Sequence, residues 1–359
     1  MPEPDQTTPV VHRADNLWHG TLMDADRKTD RLMVRKTLSD LWHAFVRWHK
    51  VVLAVAIACA AGGYVWKNQQ EFAKLRNFEW QFVPGLVLSA IVLLMVNGFI
   101  ARQMIAAFGV MQRPVEWFGL SVVNAMGNYL KPLPVGAVAR GVYLNRVRGL
   151  SYTDYSVTLL ANYFVQVVAA AICGGAAIGW LILGMQAQVP SWLWLVLVVL
   201  IVGLPLLAML LPRLGWLRIG RFGPVFMEAW EVFWGNRRML GEVLLLQLVF
   251  VTTSAWGLWL AYRSIGLDMP FQAALFFSVL PIITQVYSVL PGGFGIREFS
   301  AGISAYVLGR NPNDAAAAMF IVGLVTVVTV LLLGGVFGHR LSRSFSLASR
   351  PAEITEGVS

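Results

Sequence analysis

Two short segments, Pro134-Val-Gly136-Ala-Val-Ala-Arg140 and Pro291-Gly292-Gly293-Phe-Gly295-Ile-Arg297, share the pattern P-x-G-x-x-x-R, and each is embedded in apolar sequence. Superposing Arg140 on Arg297 also pairs Leu133 with Leu290 and Asn128 with the chemically similar Gln285. A helix breaker followed by a guanidinium is costly in hydrocarbon unless the freed backbone lines a protein cavity. The chain must therefore build such a cavity, and two copies of the pattern suggest a transporter made of repeats.

That hydrocarbon is the setting follows from composition: 57% of the residues are hydrophobic and only 13% are charged, with a mean hydropathy of +0.64. A soluble core cannot use so much apolar surface. The formal charge of +9 does not indicate nucleic acid, because the basic residues fall mainly at the ends of apolar runs, as the positive-inside rule expects. Runs near the length that crosses ~30 Å lie at about 51–66, 82–100, 158–183, 190–211, 243–262 and 315–338. The expected fold is an all-α polytopic membrane protein of about six full spans plus two broken or re-entrant helical pairs, at about 115–150 and 271–310, or about eight helices in all.

Eight Lys/Arg precede the first span, five lie between 212 and 242 and three follow the last, whereas 184–189 has none and 263–270 only Arg263. Both termini are thus expected in the cytoplasm of a cell that carries the chain in its plasma (inner) membrane. Residues 1–50 read as a cytoplasmic tail whose Val34, Leu38, Leu41, Trp42 and Phe45 form an interfacial amphipathic helix, residues 51–338 as the transmembrane domain, and 339–359 as a second cytoplasmic tail. Aromatic residues interleaved with charge mark 212–242 as a cytoplasmic amphipathic segment. Three full spans separate the two motif regions, an odd number, so the repeat-like halves, about 82–211 and 243–338, are expected to be inverted.

Within each motif, Pro134 or Pro291 ends an incoming helix, and Gly136, or Gly292, Gly293 and Gly295, permits the turn from which a new helix starts. The arginine then sits about one turn into that helix. Exposed amides and a guanidinium both favour phosphate or carboxylate, so Arg140 and Arg297 are candidates for a shared lipid- or anion-binding cavity. Arg146 and Arg148 extend the first basic cluster, and Glu298 stands beside Arg297. Competing readings exist for each: Arg140 snorkels to the interface, Arg297 and Glu298 cap a broken helix, and Arg146 and Arg148 set topology, while Lys131 reads as an interface anchor. Interhelical hydrogen bonding accounts for Asn128, Asn162 and Gln166, and close packing for Gly174-Gly175 and Gly334-Gly335.

Catalysis finds little support. The histidines lie in tails or at interfaces, carboxylates are nearly absent from the spans, and Cys59 and Cys173 stand alone, without zinc or redox spacing. No P-loop, dinucleotide fingerprint or nucleophile elbow occurs in a suitable context. No cofactor and no metal is expected.

The segment Leu290-Pro-Gly-Gly-Phe-Gly-Ile-Arg-Glu298, with Leu133-Pro-Val-Gly-Ala-Val-Ala-Arg140 and the Arg-Gly-Leu-Ser stretch at 148–151, resembles the lysylphosphatidylglycerol synthase transmembrane region, or flippase-like, family over about residues 50–340. The resemblance implies movement of lipids between leaflets, with Arg140, Arg297 and Glu298 as the matching positions. Where that family carries a Glu–Arg pair after the first motif, this chain has Asn162-Tyr-Phe-Val-Gln166. The sequence also shows no aminoacyl-transferring domain after the membrane region, so lysyl transfer by the chain alone is not expected. The expected partners are membrane lipids with anionic headgroups. The alternative is a non-transporting membrane subunit that supports a lipid-modifying or glycan-assembling enzyme.

Overall fold

The computed structural model describes residues 78–130, 135–185, 189–210, 223–284, 293 and 295–348. The amino-terminal tail, its amphipathic helix and the expected span at 51–66 lie outside these residues, as do Lys131, Leu133, Pro134, Gln285, Leu290, Pro291, Gly292 and the segment 211–222.

Every described element is helical. A 3-10 turn at Trp80–Phe82 leads into α1 (Val83–Ala106), where Pro84 occupies the first turn and its missing amide leaves no bond unmade. Then come α2 (Pro114–Leu130), α3 (Val135–Arg148) and α4 (Tyr152–Met185). The short α5 (Trp192–Val198) continues through a π turn at Val199–Gly203 into α6 (Leu204–Leu210). After α7 (Gly223–Gly235) follow α8 (Arg237–Ser264), α9 (Phe271–Thr284), α10 (Ile296–Val307) and α11 (Pro312–Ala348). Four helices, α1, α4, α8 and α11, are long and apolar enough to cross a membrane. The expected span at 190–211 is the α5–α6 run, whose π turn divides it and which presents Trp192, Leu195, Val199, Val202 and Leu206 outward. Helix α11 runs on past the expected carboxy-terminal boundary at 338, to Ala348.

The same order occurs twice: long helix, helical hairpin, long helix. In the first half these are α1, α2–α3 and α4; in the second, α8, α9–α10 and α11. At 17, 14, 14 and 12 residues, the hairpin helices are about 18–25 Å long at 1.5 Å per residue, short of the ~30 Å of a bilayer core. By length, none of these four helices matches the long spans α1, α4, α8 and α11.

The halves run in opposite directions. The amide of Glu79, before α1, donates to the carbonyl of Ser264 at the end of α8, 2.7 Å away, while Gln103 near the end of α1 donates to Glu242 at the start of α8, 3.0 Å away. Helices α1 and α8 occupy the same place in their halves and are antiparallel, which makes the repeat an inverted one. The long closing helix of each half packs on the first hairpin helix of the other, α4 on α9 and α11 on α2. Glycine occupies both contacts: Gly174 of α4 meets Val279, and Gly334 of α11 meets Met126. Small residues let helices approach closely where lipid supplies no hydrophobic drive for their association.

The interleaved aromatics of 212–242 have a definite role in α7. Trp230 and Phe233 are fully buried with Val157, Ala161 and Val165 of α4 and Val243 of α8. Its apolar face is thus covered by protein instead of resting in the interface.

Candidate functional site

The first hairpin is drawn together by two glycines. A Cβ on Gly127 would lie 2.6 Å from Cα of Gly136, and one on Gly136 would lie 2.7 Å from the carbonyl carbon of Asn124 and overlap its oxygen. Gly136 is the second residue of α3, so it serves close helix approach and is not the turn that the motif suggested. At the open end of the hairpin, Arg148 forms an ion pair with Glu116, whose carboxylate also accepts from the amide of Arg113, 3.0 Å away. Arg148 therefore ties the base of the hairpin, and neither it nor Arg146 lines the cavities described below.

One turn past Gly136, Arg140 points inward and is 5% exposed. Its Nε and Nη2 are buried without a hydrogen-bond partner. The Tyr155 hydroxyl donates to the carbonyl of Ala137 at 2.8 Å, and its ring lies where a Cβ on Gly141 would be, 2.7 Å from Cε1. This contact fixes α3 against α4. A cavity of about 190 Å³ opens before it, walled by Asn97 of α1, Asn124 and Asn128 of α2, and Thr158, Asn162, Tyr163 and Gln166 of α4. Asn162 accepts from Gln247 of α8 at 2.9 Å, so it makes the interhelical bond expected of it and also lines the cavity. Oδ1 of Asn128 is buried and unpartnered.

The second hairpin starts differently. Gly293 and Gly295 have φ of 76° and 82°, a region that other residues enter only with strain. Gly295 caps α10, and its amide donates to Oε2 of Glu298 at 2.6 Å. Glu298 is thus used to finish a helix start, half of a capping box whose other half glycine cannot supply. Arg297 is the second residue of α10, not one turn in; it is half-buried, and Nη2 lies 3.6 Å from the sulfur of Met319. Thr284 of α9 and Ser300 of α10 share a hydrogen bond of 2.9 Å across the hairpin.

Arg297 lines a second cavity, of about 160 Å³, whose other walls mix apolar residues such as Leu93, Ile282 and Val330 with polar ones such as Ser121, Tyr129 and Ser254. Asn97, Asn124, Asn128 and Phe250 line both cavities. The two motif arginines therefore stand on adjoining cavities that share a wall of three asparagines. Asn97 and Phe250 lie near the middles of the long helices α1 and α8. Among the described residues, no cluster of His, Cys, Asp or Glu could hold a metal ion.

Sequence reasoning missed Asn97, Asn124, Tyr155 and Tyr163. A signal for part of this was present, since Asn124 and Asn128 on α2, like Asn162 and Gln166 on α4, are four residues apart and so share a helix face. What such a face meets depends on packing between distant elements.

The sequence pattern of the family described as lysylphosphatidylglycerol synthase TM region matches residues 38–334. No curated protein matches the chain.

Proposed function

The chain belongs to the lysylphosphatidylglycerol synthase transmembrane family, and from that premise we propose that it moves an anionic lipid, or a lipid-linked intermediate, between the two leaflets. The observation that carries the reading is the buried Arg140 guanidinium, with two donors unpartnered, lining a polar cavity. Buried polar groups in proteins are nearly always satisfied, and a charge left bare in a membrane protein marks a place for a ligand.

Arg140 receives the headgroup phosphate, and the shared asparagine wall offers it neutral hydrogen bonds as it passes toward Arg297. The acyl or isoprenoid chains stay in the bilayer throughout. Inverted halves supply two related arrangements of one site, each open toward one leaflet. The Lys/Arg distribution supports a plasma-membrane orientation with both termini in the cytoplasm.

The test is reconstitution of the purified chain into vesicles with labelled lipids of several headgroups, read by leaflet accessibility. Translocation of an anionic lipid at a rate that depends on Arg140 is the expected result. Rates equal to protein-free vesicles for every lipid would refute the proposal.

A further inference from the structure

The walls around Arg140 carry only one sign of charge. Asn97, Asn124, Asn128, Asn162 and Gln166 bring neutral amides from three helices, and among the described residues no Asp or Glu lines either cavity. Carboxylates of the surrounding helices are engaged elsewhere: Glu116 with Arg148, Asp154 with Ser151, Glu242 with Gln103 and Arg238, and Glu298 with the amide of Gly295.

The two unpartnered nitrogens of Arg140, Nε and Nη2, form one edge of the guanidinium, where two N–H bonds point the same way. Arg140 lines the cavity, and a guanidinium that turns this edge toward it would match two oxygens of a phosphate diester, the bidentate pairing in which arginine excels. Beyond the phosphate, a ligand meets carboxamides. Each can donate to and accept from a hydroxyl, but none carries the negative charge that a buried ammonium requires. An ammonium there would also feel the unscreened repulsion of Arg140.

We infer that the cavity at Arg140 selects an anionic lipid whose headgroup beyond the phosphate is uncharged and hydroxyl-bearing, such as glycerol or a sugar, and rejects a cationic aminoacylated headgroup. The inference rests on the lipid-site reading above and adds the headgroup class. It separates this chain from the lysylated lipid in the name of its family. The selectivity follows from neutral amides standing where a cationic lipid would need a carboxylate.

The experiment measures equilibrium binding of short-chain phosphatidylglycerol and short-chain lysylphosphatidylglycerol to the full chain in detergent, followed by native mass spectrometry. Phosphatidylglycerol is expected to bind at least tenfold more tightly, and soluble sn-glycerol 3-phosphate to compete poorly. Asn162→Asp keeps the acceptor for Gln247 and adds one negative charge, so it should narrow the preference at least threefold. Asn128→Asp is the second carboxylate variant should the first not fold. Equal or tighter binding of the lysylated lipid would overturn the inference, as would an unchanged preference in a folded carboxylate variant. Equal competition by the soluble ester would overturn the assignment to a lipid. If selective binding persists while no lipid crosses the vesicle membrane, the translocation reading fails and the headgroup inference stands.

Discussion

Replacing Gly136 with alanine tests the first hairpin where it is tightest. The added methyl would sit 2.7 Å from the carbonyl carbon of Asn124 and 2.9 Å from its Cα, whereas ordinary contact begins near 3.4 Å. These atoms belong to the α2 backbone and cannot rotate aside, and the Asn124 carbonyl oxygen is overlapped outright, so α2 and α3 must separate. Overpacking of this kind typically costs 1–3 kcal/mol, and a clash with backbone belongs at the upper end, about 3 kcal/mol. Separation also forfeits dispersion contacts, the main attraction between helices in lipid. The effect should appear as a lowered thermal midpoint in detergent and, because Arg140 follows one turn later on α3, as weakened anionic-lipid binding. Gly334→Ala supplies the comparison, since the atoms nearest its methyl belong to the flexible Met126 side chain, whose overlapped sulfur can swing aside, and it should cost under about 1 kcal/mol. Gly335→Ala, with nothing within reach, should be neutral. A Gly136→Ala protein that unfolds at the wild-type midpoint, or an order in which Gly334→Ala is the worse, would refute the reasoning.

Three further outcomes follow from the site. Arg140→Gln should lower transport about tenfold or more, since a charge-assisted bond to phosphate is worth about 1.5–3 kcal/mol; Arg140→Lys should restore only part of it, and Arg297→Gln should cost less because Arg297 is half-buried against Met319. A double-mutant cycle with Glu116→Gln and Arg148→Gln should give a coupling of about 1 kcal/mol in stability, as expected for an incompletely buried pair, with transport little changed. In a background lacking Cys59 and Cys173, single cysteines at Gln186 and Leu267 should react with an impermeant thiol reagent from outside intact cells and one at Arg237 should not; labelling at 237 would reverse the orientation.

The architecture was legible wherever one element carries its own signal. Long apolar runs announce α1, α4, α8 and α11, and the paired motifs announce two broken helices, because hydrocarbon penalises both polar spans and unpaired backbone. Roles that depend on a partner far along the chain were not legible. Gly136 and Gly293 occupy the same place in the motif, yet one lets two helices touch and the other bends the chain at φ of 76°; glycine permits both, and its letter does not distinguish them. Glu298 gave a clearer local signal, standing three residues after Gly295 where a capping carboxylate belongs. Arg148 gave none, as its partner Glu116 lies on the opposite arm of the hairpin.

If transport works by exchange between inverted halves, contacts near the pseudo-symmetry axis should persist while contacts away from it shift. Helices α1 and α8 are equivalents that pack on each other, so their contact lies at the axis. Helix α11 of the second half against α2 of the first is a contact between non-equivalent elements, and its counterpart is α4 against α9. The two counterparts differ here: a Cβ on Gly334 would overlap the Met126 sulfur, whereas one on Gly174 would lie 3.3 Å from Val279, close but without overlap. Exchange would loosen the first and tighten the second. Disulfides can probe both sites, because Cβ of Ser89 lies 3.5 Å from a Cβ on Gly257 and Cβ of Met126 lies 3.4 Å from one on Gly334, at the short end of the spacing a disulfide needs. In the cysteine-free background, the oxidised Ser89→Cys/Gly257→Cys protein should transport at its reduced rate. The oxidised Met126→Cys/Gly334→Cys protein should lose most transport and regain it on reduction, which separates locking from misfolding. Transport that is indifferent to the second cross-link would mean that α2 and α11 move together, and the halves would then not exchange about this contact.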